Sequence, residues 1–168
     1  MSVLVLFGLI LLALAVPDVC PQVLGLDSNA PDLWVATVIY IALRARGYRA
    51  VGWGIALGFI RDAVSLDPLG THAFVLGVVA FLFCEGRRRR GPVKGASGLV
   101  ATFAATLLAG WLYVFRVWPT GQPVMLADLW HAVPTALTTT LFALVLHGVL
   151  DRYHLLDGIR GPTRGLPA

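Results

Sequence analysis

Apolar residues run along the 168-residue chain in six stretches, at 3–16 (extending toward 24), 33–43, 51–60, 69–84, 96–115 and 129–150, separated by short polar segments. Only the fifth and sixth reach the ~20 residues that a 30 Å hydrocarbon core asks of an untilted helix. The second and third are the weakest, because their uninterrupted apolar cores cover only about 15–17 Å at the rise of a helix. Either their flanks extend them into spans or the two form one re-entrant hairpin. With flanks included, the pattern predicts six helices at 3–24, 31–46, 50–65, 69–85, 96–116 and 128–150.

Charge placement separates the two models. With six spans and a cytoplasmic N-terminus, the inner segments hold Arg44, Arg46 and Arg49, then Arg87, Arg88, Arg89, Arg90 and Lys94, then Arg152, Arg160 and Arg164, eleven of the 13 basic residues. The outer segments hold Arg61 and Arg116 and collect Asp18, Asp27, Asp32, Asp62, Asp67 and Asp128. That asymmetry follows the positive-inside rule. A hairpin re-entering from outside would bring Arg44, Arg46 and Arg49 into the bilayer at roughly 2.5–3.5 kcal/mol each. The expectation is therefore six spans with both termini inside.

Punctuation agrees with these boundaries. Pro17 and Pro21 loosen or end the first helix, residues 27–32 form a polar loop carrying helix-start residues, and Gly91-Pro92 follows the arginine run. Residues 118–123 read as another turn, and Trp111, Tyr113, Trp118 and Trp130 gather at one end of the last two spans as an aromatic belt would. Ala13-Leu14-Ala15 resembles a signal-peptidase site, but residues 1–16 contain no Lys or Arg, so the first helix is expected to be retained. Nothing divides the chain: one six-helix domain over 1–157 and a flexible cytoplasmic tail over 158–168 are expected.

Composition narrows the class further. Hydrophobic residues make up 58% and charged residues 13%, against ~25% charged in globular domains, and mean hydropathy is +0.80. Such a chain lacks the polar groups to cover a soluble globule. The net charge of +4 lies between apolar runs rather than along one face, which disfavours nucleic acid and points to the anionic inner leaflet. Cys20 and Cys84 show no CxxC or His/Cys ligand spacing, and neither metal nor redox chemistry is signalled.

Candidate chemistry is sparse. Gly54 and Gly58 share a helix face that permits close backbone approach, while the spacing Gly52, Gly54, Gly58 misses the dinucleotide fingerprint. Asp62 must find donors near the end of a span, from Ser65 one turn on, Arg61 beside it, or the free N–H groups of the next helix. It reads as an interhelical cap rather than a proton or cation site, since no partner His, Lys or second acid stands at relay spacing. Asp67-Pro68-Leu69-Gly70 suits a type I turn. The four histidines, His72, His131, His147 and His154, form no ligand motif. Thr138, Thr139 and Thr140 can bond backbone carbonyls or a neighbouring helix, and Pro134 can kink the last span. Arg87, Arg88, Arg89 and Arg90 read first as a lipid-headgroup anchor and second as a docking site for a cytoplasmic protein. No nucleophile and base pair is discernible, so no enzyme and no cofactor are expected.

The ordered set Gly54-x3-Gly58-x3-Asp62-x2-Ser65-x2-Pro68-Leu69-Gly70-x2-Ala73-Phe74 resembles the signature of the bacterial rod shape-determining membrane family MreD. Pro31-Asp32-Leu33, the arginines at 44–49 and the chain length look similar too, whereas Arg61 stands where that pattern suggests an apolar residue. The resemblance implies a non-enzymatic scaffold of the cell-elongation machinery in the cytoplasmic membrane. It would bind MreC and, through it, MreB filaments and the peptidoglycan synthase pair of RodA and its transpeptidase. The motif residues Gly54, Gly58, Asp62, Ser65, Pro68, Leu69, Gly70 and Phe74 would form its packing or partner face. The family also resembles the six-helix S components of energy-coupling-factor transporters, so a small-solute-binding subunit is the rival reading.

Overall fold

The computed structural model describes residues 30–45, 47–65, 68–90, 96–117 and 126–152, together with Gly8, Leu11, Ala13 and Ala15. Among these residues there are five helices and no strand: α1 (Leu33–Arg44), α2 (Arg49–Val64), α3 (Thr71–Arg90), α4 (Ala96–Val117) and α5 (Leu126–Arg152). The four isolated positions represent the expected first span; all are helical, and Ala13 is buried in the core. The remainder of that stretch, the 18–29 loop, Arg46, Asp67, Lys94, Trp118 and the 158–168 tail lie outside the described residues.

α1 is the second apolar stretch, and it forms the post around which the others stand. Its entry is fixed by Asp32, whose Oδ1 accepts the N–H groups of Trp34 (3.1 Å) and Val35 (3.2 Å), the N-cap geometry that satisfies otherwise orphaned donors. Every residue from Leu33 to Leu43 is buried, as a helix apolar on all sides requires. α1 packs on each of the other four helices. Its 12 residues span only about 18 Å, less than a hydrocarbon core. A turn with Gly47 at φ +61° then leads into α2; this left-handed backbone suits a residue without Cβ.

α3 differs from its expected extent. The helix continues through the arginine run to Arg90, so the run forms its last turn rather than a loop. Arginine is a good helix former, and cations suit a helix C-terminus. The Gly91-Pro92 pair follows directly.

Among the described residues, α4 and α5 are the two helices long and apolar enough to cross a membrane, over Ser97–Arg116 and Leu129–Leu150. Their residues are arranged inside out. On α5, Ala136, Thr139 and Ala143 are buried while Leu137, Leu141, Leu144 and Val145 are exposed. On α4, Thr102, Ala105, Thr106 and Ala109 face inward while Val100, Trp111 and Phe115 face out. Small and hydroxyl side chains at the helix contacts and large apolar ones outside are what lipid, rather than water, selects. The buried hydroxyls of α4 are satisfied within their own helix: Thr102 donates to Gly98 O (3.0 Å) and Thr106 to Thr102 O (2.9 Å).

Candidate functional site

The motif residues converge on the hairpin of α2 and α3. A Cβ on Gly58 would fall on the backbone of Ala73 and stand 2.6 Å from His72 O, and one on Gly54 would stand 2.8 Å from Leu76 O. Both glycines are needed because backbone meets backbone there. Gly54 and Gly58 are therefore spent on close packing against the chain's own α3.

Asp62, fully buried at the end of α2, caps α3 from outside that helix. Phe74 N–H donates to Gly70 O (2.9 Å), which makes Gly70 the N-cap of α3, and glycine has no side chain with which to cap. Asp62 supplies the missing acceptor: Oδ2 takes the N–H of Gly70 (2.9 Å) and Ala73 (3.2 Å), and Oδ1 takes the N–H of His72 (2.9 Å). His72 Nδ1 stands 2.9 Å from Oδ1 and donates to it. Four donors fill the acceptor sites of one carboxylate, whose charge meets the positive end of the helix dipole.

Three expectations are corrected here. Asp62 does have a histidine partner, His72, which lies beyond relay spacing in sequence and is brought in by the turn. Ser65 does not join Asp62: its buried Oγ has no hydrogen-bond partner among the described residues, because the helix ends there with Ser65 N–H on Arg61 O (2.9 Å). The reversal closes one residue later than expected, with Thr71 N–H on Pro68 O (3.1 Å) and Gly70 at φ +91°. A positive φ at the third position marks a type II turn, which demands glycine, rather than type I.

Beside this clasp lies a cavity of about 230 Å³ lined by Asp32, Val35, Arg61, His72, Val75, Leu76, Ala109, Gly110 and Tyr113. Arg61, the departure from the motif pattern, bonds Asp32 Oδ2 at 2.7 Å, with both side chains partly exposed. Asp32 thus caps α1 with one oxygen and holds α2 with the other, and its own N–H donates to Thr139 Oγ1 of α5 (2.8 Å). Tyr113 turns toward His72, ring centroids 5.4 Å apart, rather than joining the aromatic belt; Trp111 and Trp130 remain exposed. Among the described residues no group of three or more metal-ligating side chains gathers.

At the opposite end of α1, the arginine run divides. Arg87 donates to Ala45 O (2.8 Å) and Ala42 O (3.3 Å), capping the C-terminus of α1 as Asp32 caps its start. Arg88 and Arg89 extend outward and meet Glu85 and Tyr48.

The family described as rod shape-determining protein MreD matches residues 1–151. The chain belongs to the MreD family. It is a membrane protein family that acts in rod shape determination, and the matched residues include the whole clasp. No curated protein matches the chain, and no solved structure does. Sequence reasoning on this MreD chain missed His72, Tyr113 and Thr139 as site residues. A signal existed for the first: a helix opened by glycine must borrow its cap, and Asp62 and His72 flank the same turn.

Proposed function

We propose that this MreD-family chain is a non-enzymatic scaffold of the cell-elongation complex, a six-span inner-membrane domain with both termini inside, folded like an S component. It binds MreC directly and, through MreC, couples MreB filaments and the RodA synthase pair to wall growth. The observation that carries the partner surface is the set of large apolar side chains left outside at the Asp32 end: Leu69 is 77% exposed, and Val64 and Phe74 are more than half exposed. Asp62 ties the end of α2 to the start of α3, which favours presenting this patch in one geometry, the condition for a preorganised interface.

The cavity favours attention to the second reading, a solute-binding subunit. Its volume of about 230 Å³ falls below the ~300–1,000 Å³ of small-molecule pockets, and its two formal charges neutralise one another. It suits a single partner side chain better than a vitamin-sized solute.

The test is co-purification of MreC in mild detergent with the double variant Leu69→Ser/Phe74→Ser. The scaffold reading expects at least a tenfold loss of MreC with an unchanged melting temperature. Full recovery of MreC with that variant would sink the assignment, and recovery of a transporter's coupling subunit and ATPases would install the rival.

A further inference from the structure

Phe81, Glu85, Arg88 and Arg89 follow one another at i, i+4, i+7 and i+8 on α3 and so form one stripe. Tyr48, at the entry of α2, is laid along it. Its ring stacks on Phe81, centroids 5.9 Å apart and planes within 14°. Its hydroxyl donates to Glu85 Oε2 (3.2 Å) and accepts from Arg88 (3.3 Å). Arg89 Nε donates to Glu85 Oε1 (2.9 Å), and Arg88 comes within 4.0 Å of Oε2. The aromatic part is exposed, with Phe81, Leu82 and Tyr48 each near half of their full surface, and the arginine side chains are 73% and 77% exposed.

We propose that this stripe is a binding site for one anionic phospholipid of the inner leaflet. The proposal rests on the membrane-spanning reading of the helices, not on the MreC assignment. Charge and geometry support it together. Glu85 balances one of the two arginines and leaves one positive charge, the complement of a single phosphodiester. Each guanidinium carries five donors, and each spends one on a hydrogen bond to a described residue. Arg88 stands about 10 Å along the helix from Phe81, which sets a headgroup contact above an apolar wall. Gly52, one turn after Tyr48 on α2, is exposed with no heavy atom within 4 Å of where a Cβ would stand, so an acyl chain can lie close to the backbone. An acidic cytoplasmic protein would cover the arginines but not the apolar surface of Phe81 and Leu82 beneath them. Arg87 is excluded from the site because its guanidinium holds the end of α1.

The experiment has two stages. The full chain is first floated with vesicles of phosphatidylcholine alone; failure to co-float overturns the membrane reading itself. Native mass spectrometry then compares retention of phosphatidylglycerol and phosphatidylcholine from equimolar mixed micelles. The proposal expects wild type to keep one phosphatidylglycerol, and Arg88→Gln/Arg89→Gln to lose that retention about tenfold or more, since each basic side chain at the surface contributes about fivefold. Arg116→Gln, at the other end of the bundle, is expected to retain it as wild type does. A floating wild type without headgroup preference, or a double variant that keeps it, overturns the lipid site and leaves the two arginines to a cytoplasmic protein.

Discussion

The two ends of α1 use their charged side chains differently. At the Asp32 end, Asp32, Arg61 and Asp62 are turned inward onto each other, onto a histidine and onto the free N–H groups of two helix starts. At the arginine end Arg87 is used in that way, while Arg88 and Arg89 stay at the surface around Glu85. The contrast teaches that a charge near a span end is settled by whether a helix terminus nearby lacks partners. Gly70 offers α3 no cap of its own and draws in Asp62, and the open carbonyls at the end of α1 draw in Arg87.

Substitutions can break this comparison, and the largest effect belongs to the clasp. Gly58→Leu drives a side chain into the backbone of α3 and is expected to cost more than the ~3 kcal/mol upper range of overpacking, read as failure to recover monodisperse protein. Asp62→Leu leaves three backbone donors unpaired, those of His72 and Ala73 buried at roughly 1–3 kcal/mol each; a melting temperature near that of wild type would refute the capping role. Arg87→Ala should cost about 1.5–3 kcal/mol, the scale of hydrogen bonds from a charged donor, and thermal unfolding in detergent checks it. Arg61→Gln removes a partly exposed pair and should cost about 1 kcal/mol. Arg88→Ala/Arg89→Ala should leave the melting temperature unchanged, because both side chains lie mostly in the surroundings. Equal melting shifts for Arg87→Ala and that double variant would erase the distinction within the run.

Much of this was legible in the sequence. The five described helices fall where hydrophobic stretches predict them, the two membrane-length ones are those long enough by count, and Asp32 starts a helix as a polar loop residue before an apolar run should. The backbone donors that Asp62 meets were among its foreseen partners. What the one-dimensional pattern could not hold is the pairing across turns. His72 lies ten residues from Asp62, Arg61 pairs with Asp32 from 29 residues away, and Thr139 reaches Asp32 across 107. The first pairing is made by the turn and the other two by packing around α1, which no local spacing encodes. The extension of α3 through four arginines was missed for a simpler reason: hydropathy ends a span before helix propensity ends the helix. The turn type was missed by one residue because Pro68 and Gly70 satisfy two registers, and the helix start chose between them.

The central claim is that Asp62 is the cap of α3. Amide hydrogen exchange of Gly70, His72 and Ala73 in wild type and Asp62→Ala, held well below the melting temperature with the α5 amides as reference, tests it most directly. The account predicts faster exchange at those three positions in the variant while α5 keeps its wild-type protection. Unchanged protection of the three amides would contradict it.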